Sequence, residues 1–426
     1  MVLMLMFKMI FMKRYNINHL SRLLLIVAVA LIGTTFHSCE EYPDAFESTD
    51  GVPEVVYVRL PAPESADSLI TAAFMENTIV LVGNNLTSIK EIYFNDQKAI
   101  LNNSFITANT LFVNVPKTIP EVVTNKIYLV TTGKDTVDFD FSVLVPAPAV
   151  NSISNEYAHD GQEVVLRGDY FIDDPNSPLS ITMAGNLSVP AENILSVEKN
   201  SVRFVVPEGA EKGYINVSSL YGTSRSKFQF RDDRGMILDW DNLNANGGWR
   251  AGNLRTDDPV EGISGQYVYF SGDIPGDLSD WGEDAFSFNL WGTANGRPEG
   301  DLFDVDLSTA LLKFEVNVLG GWSANALQMI FTPWGTRDTN GYIADGITPR
   351  GLWAPWRTEG VFTTDGWMTV VVPLKDFKYD HTGKDIGAAS PGNFGGLTFF
   401  VYHGGIEGSA CSPKICIDNI RVVPAE

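Results

Sequence analysis

Cysteine, histidine and positive charge are all scarce in this chain. Its 426 residues include three cysteines and five histidines. A structural zinc site needs four clustered ligands, and no CxxC or paired-histidine motif supplies them. HExxH and GxSxG are missing, as is a GxGxxG stretch opening a helix. The usual marks of zinc proteases, serine hydrolases and dinucleotide enzymes are therefore absent. Lysine and arginine number 30 against 52 acidic residues, a net charge of −22. Nucleic acid and anionic lipid both call for basic patches, so neither is an expected partner by charge. The balance suits an exported protein with a neutral ligand, and equally a chain kept soluble by its acidity. Helix signals are weak and limited to short turns such as Leu374 to Phe377. Tryptophan is missing from the first 239 residues, then abundant: Trp240, Trp249, Trp281, Trp291, Trp322, Trp334, Trp353, Trp356 and Trp367 share one later stretch.

Residues 1–38 read as a signal peptide rather than as structure. Lys13, Arg14 and Arg22 form its positive region, and the apolar run Leu23 to Ile32 is too short for a comfortable membrane span. The Met-rich opening offers Met9 and Met12 as alternative starts. Cys39 follows small and polar residues and looks like the acylated cysteine of a lipoprotein, although Phe36 stands where leucine is usual. Glu40, Glu41 and Asp44 come next, an acidic run that resembles the export signal of surface lipoproteins in Bacteroidota. The expectation is a lipid anchor at Cys39 in the outer membrane, facing the cell surface, with residues 39–52 as a tether.

Residues 53–232 contain a repeat. Ile79 to Leu86 (IVLVGNNL) aligns with Val164 to Phe171 (VVLRGDYF), and Leu111 to Pro116 with Val202 to Pro207. Lys126 to Thr131 with Gly133 matches Gly213 to Ser218 with Gly222. Short alternating runs with frequent turn residues mark each copy as a small β-sandwich. The motif order, including G-[ND]-x-[LF] at Gly83 and Gly168, resembles the immunoglobulin-like IPT/TIG module. The two modules are expected at 53–146 and 147–232, with the prolines of Val145 to Ala149 as a stiff, extended join. Neither copy carries a chemical cluster and His159 stands alone, so both read as inert spacers.

Residues 233–426 form the tryptophan-rich region. Alternation places Phe286, Phe288 and Leu290 on one face of a strand, with Ser287, Asn289 and Trp291 on the other. Leu312, Phe314, Val316 and Val318 oppose Lys313, Glu315 and Asn317, and Leu327, Met329 and Phe331 oppose Gln328. Further strands start at Trp367, Leu397 and Lys414. The expected fold is all-β: two tandem Ig-like sandwiches, then a C-terminal β-jelly-roll or sandwich.

Asn289, Trp291, Glu315, Asn317 and Gln328 read as one polar sheet face that carries a tryptophan. Amides and carboxylates hydrogen-bond sugar hydroxyls, and indoles stack on the C–H faces of sugar rings. Trp281 and Trp322 flank that face in Gly-, Asp- and Asn-containing loops, and Trp334 lies with Arg337 and Tyr342 in a third. Trp353 and Trp356 are weaker candidates in a fourth loop. Trp240 and Trp367 read as structural, and Trp249 is undecided. Asp239, Asp241, Asp418 and Asn419, on the first and last strands, are candidates for a structural Ca²⁺; an ordinary polar cluster is the alternative. Cys411 and Cys416 are close enough for a small disulfide loop, or are two free buried thiols.

The lipoprotein-like start, the tandem modules, GWMTVVVPLKDF (Gly366 to Phe377) and ICIDNIRVVP (Ile415 to Pro424) together resemble the surface glycan-binding protein B family. Its C-terminal domain is similar to this one. The resemblance implies non-catalytic capture of xyloglucan or a related β-glucan at the cell surface. It also implies a TonB-dependent transporter and its glycan-binding lipoprotein as partners. Two readings from other classes stay open: an adhesin binding a protein through its Ig-like modules, and a glycoside hydrolase, whose two carboxylates a sequence cannot locate.

Overall fold

The computed structural model describes residues 48–248, 253–278, 287–292, 294–335, 349–390 and 392–426. Among these residues the elements are strands, 3₁₀ turns and one four-residue α-helix, Trp356–Glu359. The chain forms two compact units, divided between Leu144 and Val145.

The first unit holds one Ig-like module. Strands Glu54–Arg59, Thr78–Asn84 and Thr110–Asn114 form one sheet, and Gln97–Lys98, Ile89–Phe94, Lys126–Thr131 and Thr136–Asp140 form the other. Ile79, Leu81, Ile92, Leu111, Ile127 and Leu129 fill the space between them. The second unit opens with the second module, built from two four-stranded sheets around Val164, Leu166, Ile181, Val202, Phe204 and Ile215.

The repeated G-[ND]-x-[LF] motif has a steric cause. A Cβ at Gly83 would lie 1.8 Å from the carbonyl oxygen of Glu54, and one at Gly168 would lie 1.7 Å from that of Ala149. In both modules the first strand bulges against the motif strand, between Val55 and Tyr57 and between Val150 and Ser152. Only glycine admits so close an approach. Two residues on, Asn85 and Tyr170 turn the chain through left-handed backbone, with φ of 53° and 59°. Leu86 and Phe171 then anchor the turn in their cores.

The C-terminal domain is a two-sheet sandwich. Its strands are β1 (Met236–Leu238), β2 (Leu254–Arg255), β3 (Tyr267–Ser271), β4 (Ser287–Leu290) and β5 (Ala310–Leu319), then β6 (Ala326–Thr332), β7 (Arg350–Trp353), β8 (Met368–Pro373), β9 (Gly396–Tyr402) and β10 (Lys414–Pro424). One sheet has the order β2-β3-β10-β5-β8, with β1 also paired to β10. The other has the order β4-β9-β6-β7. The inward sets follow the alternation: Leu312, Phe314, Val316 and Val318 face Leu327, Met329, Phe331, Leu397 and Phe399. Phe399 stacks on Phe288 at 5.0 Å and meets Phe314 edge-on at 5.3 Å. Each fully buried side chain of this kind stabilises the sandwich by about 1.5–3 kcal/mol.

Candidate functional site

The outer face of the four-stranded sheet carries Ser287, Asn289, Thr398, Phe400, Tyr402, Gln328, Ile330 and Arg350. All are buried, so these strands are covered on both faces. Gln328 sits there as the alternation requires, but its carboxamide is engaged inside the protein. Its oxygen accepts from Arg350 Nη1 at 2.6 Å, and its nitrogen donates to the His381 carbonyl at 3.4 Å. Burial pulls the Arg350 guanidinium down to about 10. Asn289 holds the edge of the sheet through its backbone, donating to Gly247 O at 2.8 Å and accepting from Asn246 N at 2.9 Å.

Two half-buried tryptophans meet one end of this sheet. Trp291 directly follows β4, and Trp334 comes two residues after β6. Between those strand ends runs the start of β9, at Gly395 and Gly396. A Cβ at Gly396 would come within 3.5 Å of Trp291 Cδ1 and 2.6 Å of Thr332 Oγ1. One at Gly395 would lie 2.8 Å from Trp334 Cβ. The Trp291 indole lies against Gly396 and over Gly247, where a Cβ would be 3.3 Å from Cζ3, whereas Trp334 meets Gly395 through its backbone and Cβ, and both glycines of the pair are buried. Thr332 Oγ1 is buried there without a hydrogen-bond partner among the described residues. Partly exposed tryptophans suit stacking on a flat, weakly polar ring. The sequence reading missed the diglycine; its signal is the pair of glycines opening an otherwise apolar strand (GGLTFFVY).

The other described tryptophans are engaged within the protein. Trp322 is a correction: it is wholly buried in the core, and its indole N–H donates to Ala324 O at 2.5 Å. Gly320 and Gly321, with φ of 75° and 65°, turn the chain so that Trp322 enters the sandwich. Trp353 packs edge-on against Trp322, Phe314 and Phe362. Trp356 donates to Asn325 O at 2.7 Å. Trp240 is core, edge-on to Phe288 at 4.9 Å. Trp367 donates to Glu261 O at 2.8 Å and packs on Tyr267. Trp249, Trp281, Phe286, Arg337 and Tyr342 lie outside the described residues, as does Cys39.

Glu315 and Asn317 need a second correction. They sit on β5, in the six-stranded sheet, so they do not share a face with Asn289 and Gln328. That outer face rests against the second Ig-like module. Arg421 forks onto Glu315 at 2.8 and 3.0 Å and reaches Glu156 of the module at 2.8 Å. Lys313 donates to the other oxygen of Glu156 at 2.6 Å. Burial pushes the Glu315 carboxyl up. Burial also opposes the Arg421 charge, but the Glu315 and Glu156 carboxylates more than offset it and hold the guanidinium above its ordinary value. Asn317 is buried and accepts from Thr364 Oγ1 at 3.3 Å.

The acidic residues of the first and last strands do not pool their oxygens for calcium. Asp239 Oδ1 accepts from the amides of residues 241, 242 and 243, and Asp241 Oδ1 from Gln266 N. Asp418 and Asn419 share the Ser264 hydroxyl. No group of three or more His, Cys, Asp or Glu among the described residues is arranged to hold a metal ion. Asp418 is wholly buried, which pushes its carboxyl up to about 8. Cys411 and Cys416 are free thiols. Cys416 shares the outer face of its sheet with Asn317, while Cys411 packs on the core.

Ig-like modules leading to a two-sheet sandwich, with half-buried tryptophans at one sheet end, make up a modular all-β scaffold. Residues 230–424 match the family described as surface glycan-binding protein B xyloglucan binding domain. The crystal structure of the surface glycan-binding protein PbSGBP-B from Prevotella bryantii is 36% identical, with a TM-score of 0.74, covering 89% of this chain and 100% of that one. An IPT/TIG domain-containing protein of Bacteroides ovatus is 25% identical over 224 residues, which is 49% of this chain and 44% of that protein, so the match spans less than half of its length. The chain belongs to the surface glycan-binding protein B family.

Proposed function

We propose that this protein captures a plant-type glycan, xyloglucan or a related β-glucan, without cleaving it. The observation that carries this reading is the pair of half-buried tryptophans, Trp291 and Trp334, at one end of the four-stranded sheet, where the Trp291 indole lies against Gly396 and Gly247. Family membership supports it. In this reading Cys39 carries the lipid that holds the protein at the outer surface of the cell. The bound chain passes to a TonB-dependent transporter and its glycan-binding lipoprotein. Shallow stacking of several sugars suits transfer better than storage, with affinity near the micromolar range, about −8 kcal/mol.

The test is affinity electrophoresis and calorimetry on xyloglucan, with mixed-linkage β-glucan alongside. Trp291→Ala and Trp334→Ala are each expected to weaken binding about 10-fold, and the double variant about 100-fold, at roughly 1.4 kcal/mol per decade. The unfolding midpoint should hold in all three. Unchanged retention of a folded double variant would remove the site from this sheet end. Chromatography of the same polysaccharides after incubation should show no released oligosaccharides; steady release would favour the hydrolase reading.

A further inference from the structure

We infer that the second Ig-like module is a fixed structural part of the C-terminal domain, joined to it by a buried quartet of charges, Glu156, Lys313, Glu315 and Arg421, so that the two unfold and move as one body. The sequence reading made this module an inert spacer.

The balance of the quartet argues for a permanent joint. Lys313, Glu315 and Arg421 all come from the outer face of the six-stranded sheet, and all are buried. By themselves they are two cations and one anion. Glu156, itself 3% exposed, supplies the fourth charge from the loop after strand Ala149–Ile153 of the module. One of its oxygens accepts from Lys313 and the other from Arg421. The set is neutral only when the module is in place. Removing one partner from such a buried set leaves an uncompensated charge, a strongly destabilising change.

The contact is also keyed through the backbone. β8 is an edge strand of the six-stranded sheet. Its Thr369 N–H donates to Ser154 O of the module at 3.0 Å. Thr369 Oγ1 accepts from Glu156 N at 2.7 Å and donates to Glu315 at 3.0 Å. An exposed edge is thereby covered by its neighbour. The Arg421 guanidinium lies 4.9 Å from the centre of the Tyr157 ring, and Tyr157 OH donates to Asp232 O at 2.6 Å, in the segment that connects the two folds. His159 Nε2 lies 2.7 Å from Ile263 O. Residues 154–159 thus form one continuous docking loop, and the connecting segment is tied down rather than free.

Hydrogen exchange on the full chain, read by mass spectrometry, tests this. In the unaltered protein, peptides covering 213–219 of the module and 312–318 and 415–423 of the domain should open together. Glu156→Met should lower protection in all three by about 100-fold, about 2.7 kcal/mol, while peptides covering 126–131 in the first unit stay unchanged. Glu156→Met with Lys313→Met removes one charge of each sign and leaves Arg421 paired to Glu315. It should return protection to within about 10-fold of the unaltered chain. Glu156→Gln, which keeps the shape, should act in the same direction by about 10-fold and serves if the methionine variant does not fold. Loss of protection confined to residues 154–159, or a double variant as weak as the single one, would overturn the joint.

Discussion

Trp322→Ala is expected to destabilise the C-terminal domain by about 3–5 kcal/mol, the usual range for a large aromatic removed from a core. The indole is wholly buried, packs edge-on to Trp353 at 5.4 Å and donates its N–H to Ala324 O. Truncation leaves both a cavity and an unpaired carbonyl. Glycan binding should fall only as far as folding does. Chemical denaturation followed by tryptophan fluorescence reads the first quantity, and retention on a polysaccharide gel reads the second. A stable, folded Trp322→Ala protein that has lost retention would instead return Trp322 to the binding surface.

The second large effect is a dependence of stability on pH, set by Asp418. This carboxyl is wholly buried and accepts from Asn419 N and from the Ser264 hydroxyl. Burial is the main cause of its rise to about 8, with Glu315 and Asp241 adding repulsion. A carboxyl raised in the folded state holds its proton while the unfolded chain releases it. Its contribution is therefore fully present below the ordinary carboxylate range and is lost as pH rises through about 8. The slope in that window approaches 1.4 kcal/mol per pH unit. Asp418→Asn mimics the protonated form. Between pH 5 and pH 8 the variant should gain roughly 3–4 kcal/mol on the unaltered protein. Parallel pH profiles in paired urea melts would show that Asp418 does not titrate in this window.

Much of the fold could be read from residue order, because alternation reports which side chains share a face of one strand. Leu312, Phe314, Val316 and Val318 did enter the core together, as did Leu327, Met329 and Phe331. Alternation does not report which sheet a strand joins. Glu315 and Asn317 share the outward direction with Asn289 and Gln328 but lie on the opposite side of the sandwich. β5 pairs with β10, about 100 residues later, and that pairing leaves no local trace. Trp322 failed as a surface candidate for a related reason. Glycine and asparagine around Trp322 mark a turn correctly, yet composition does not say whether the turn throws its largest side chain outward or back into the core. The salt links to Glu156 were illegible too, since that residue belongs to a different module and reads as an ordinary surface acid.

The position of β10 bears on how the chain acquires its structure. β10 pairs with β5, β3 and β1, so it lies inside its sheet rather than at an edge. It is also the last strand of that sheet to be synthesised. Until it arrives, β1 and β5 each lack a neighbour, and the pairing of Met236 with Arg421 must close a loop of nearly the whole domain. Contacts so distant in sequence slow folding. The Ig-like modules can close on their own nearby strands as they emerge, while the C-terminal sandwich must wait for its final strand. The part of the chain most tightly cross-linked by buried charge is thus also the last able to become rigid.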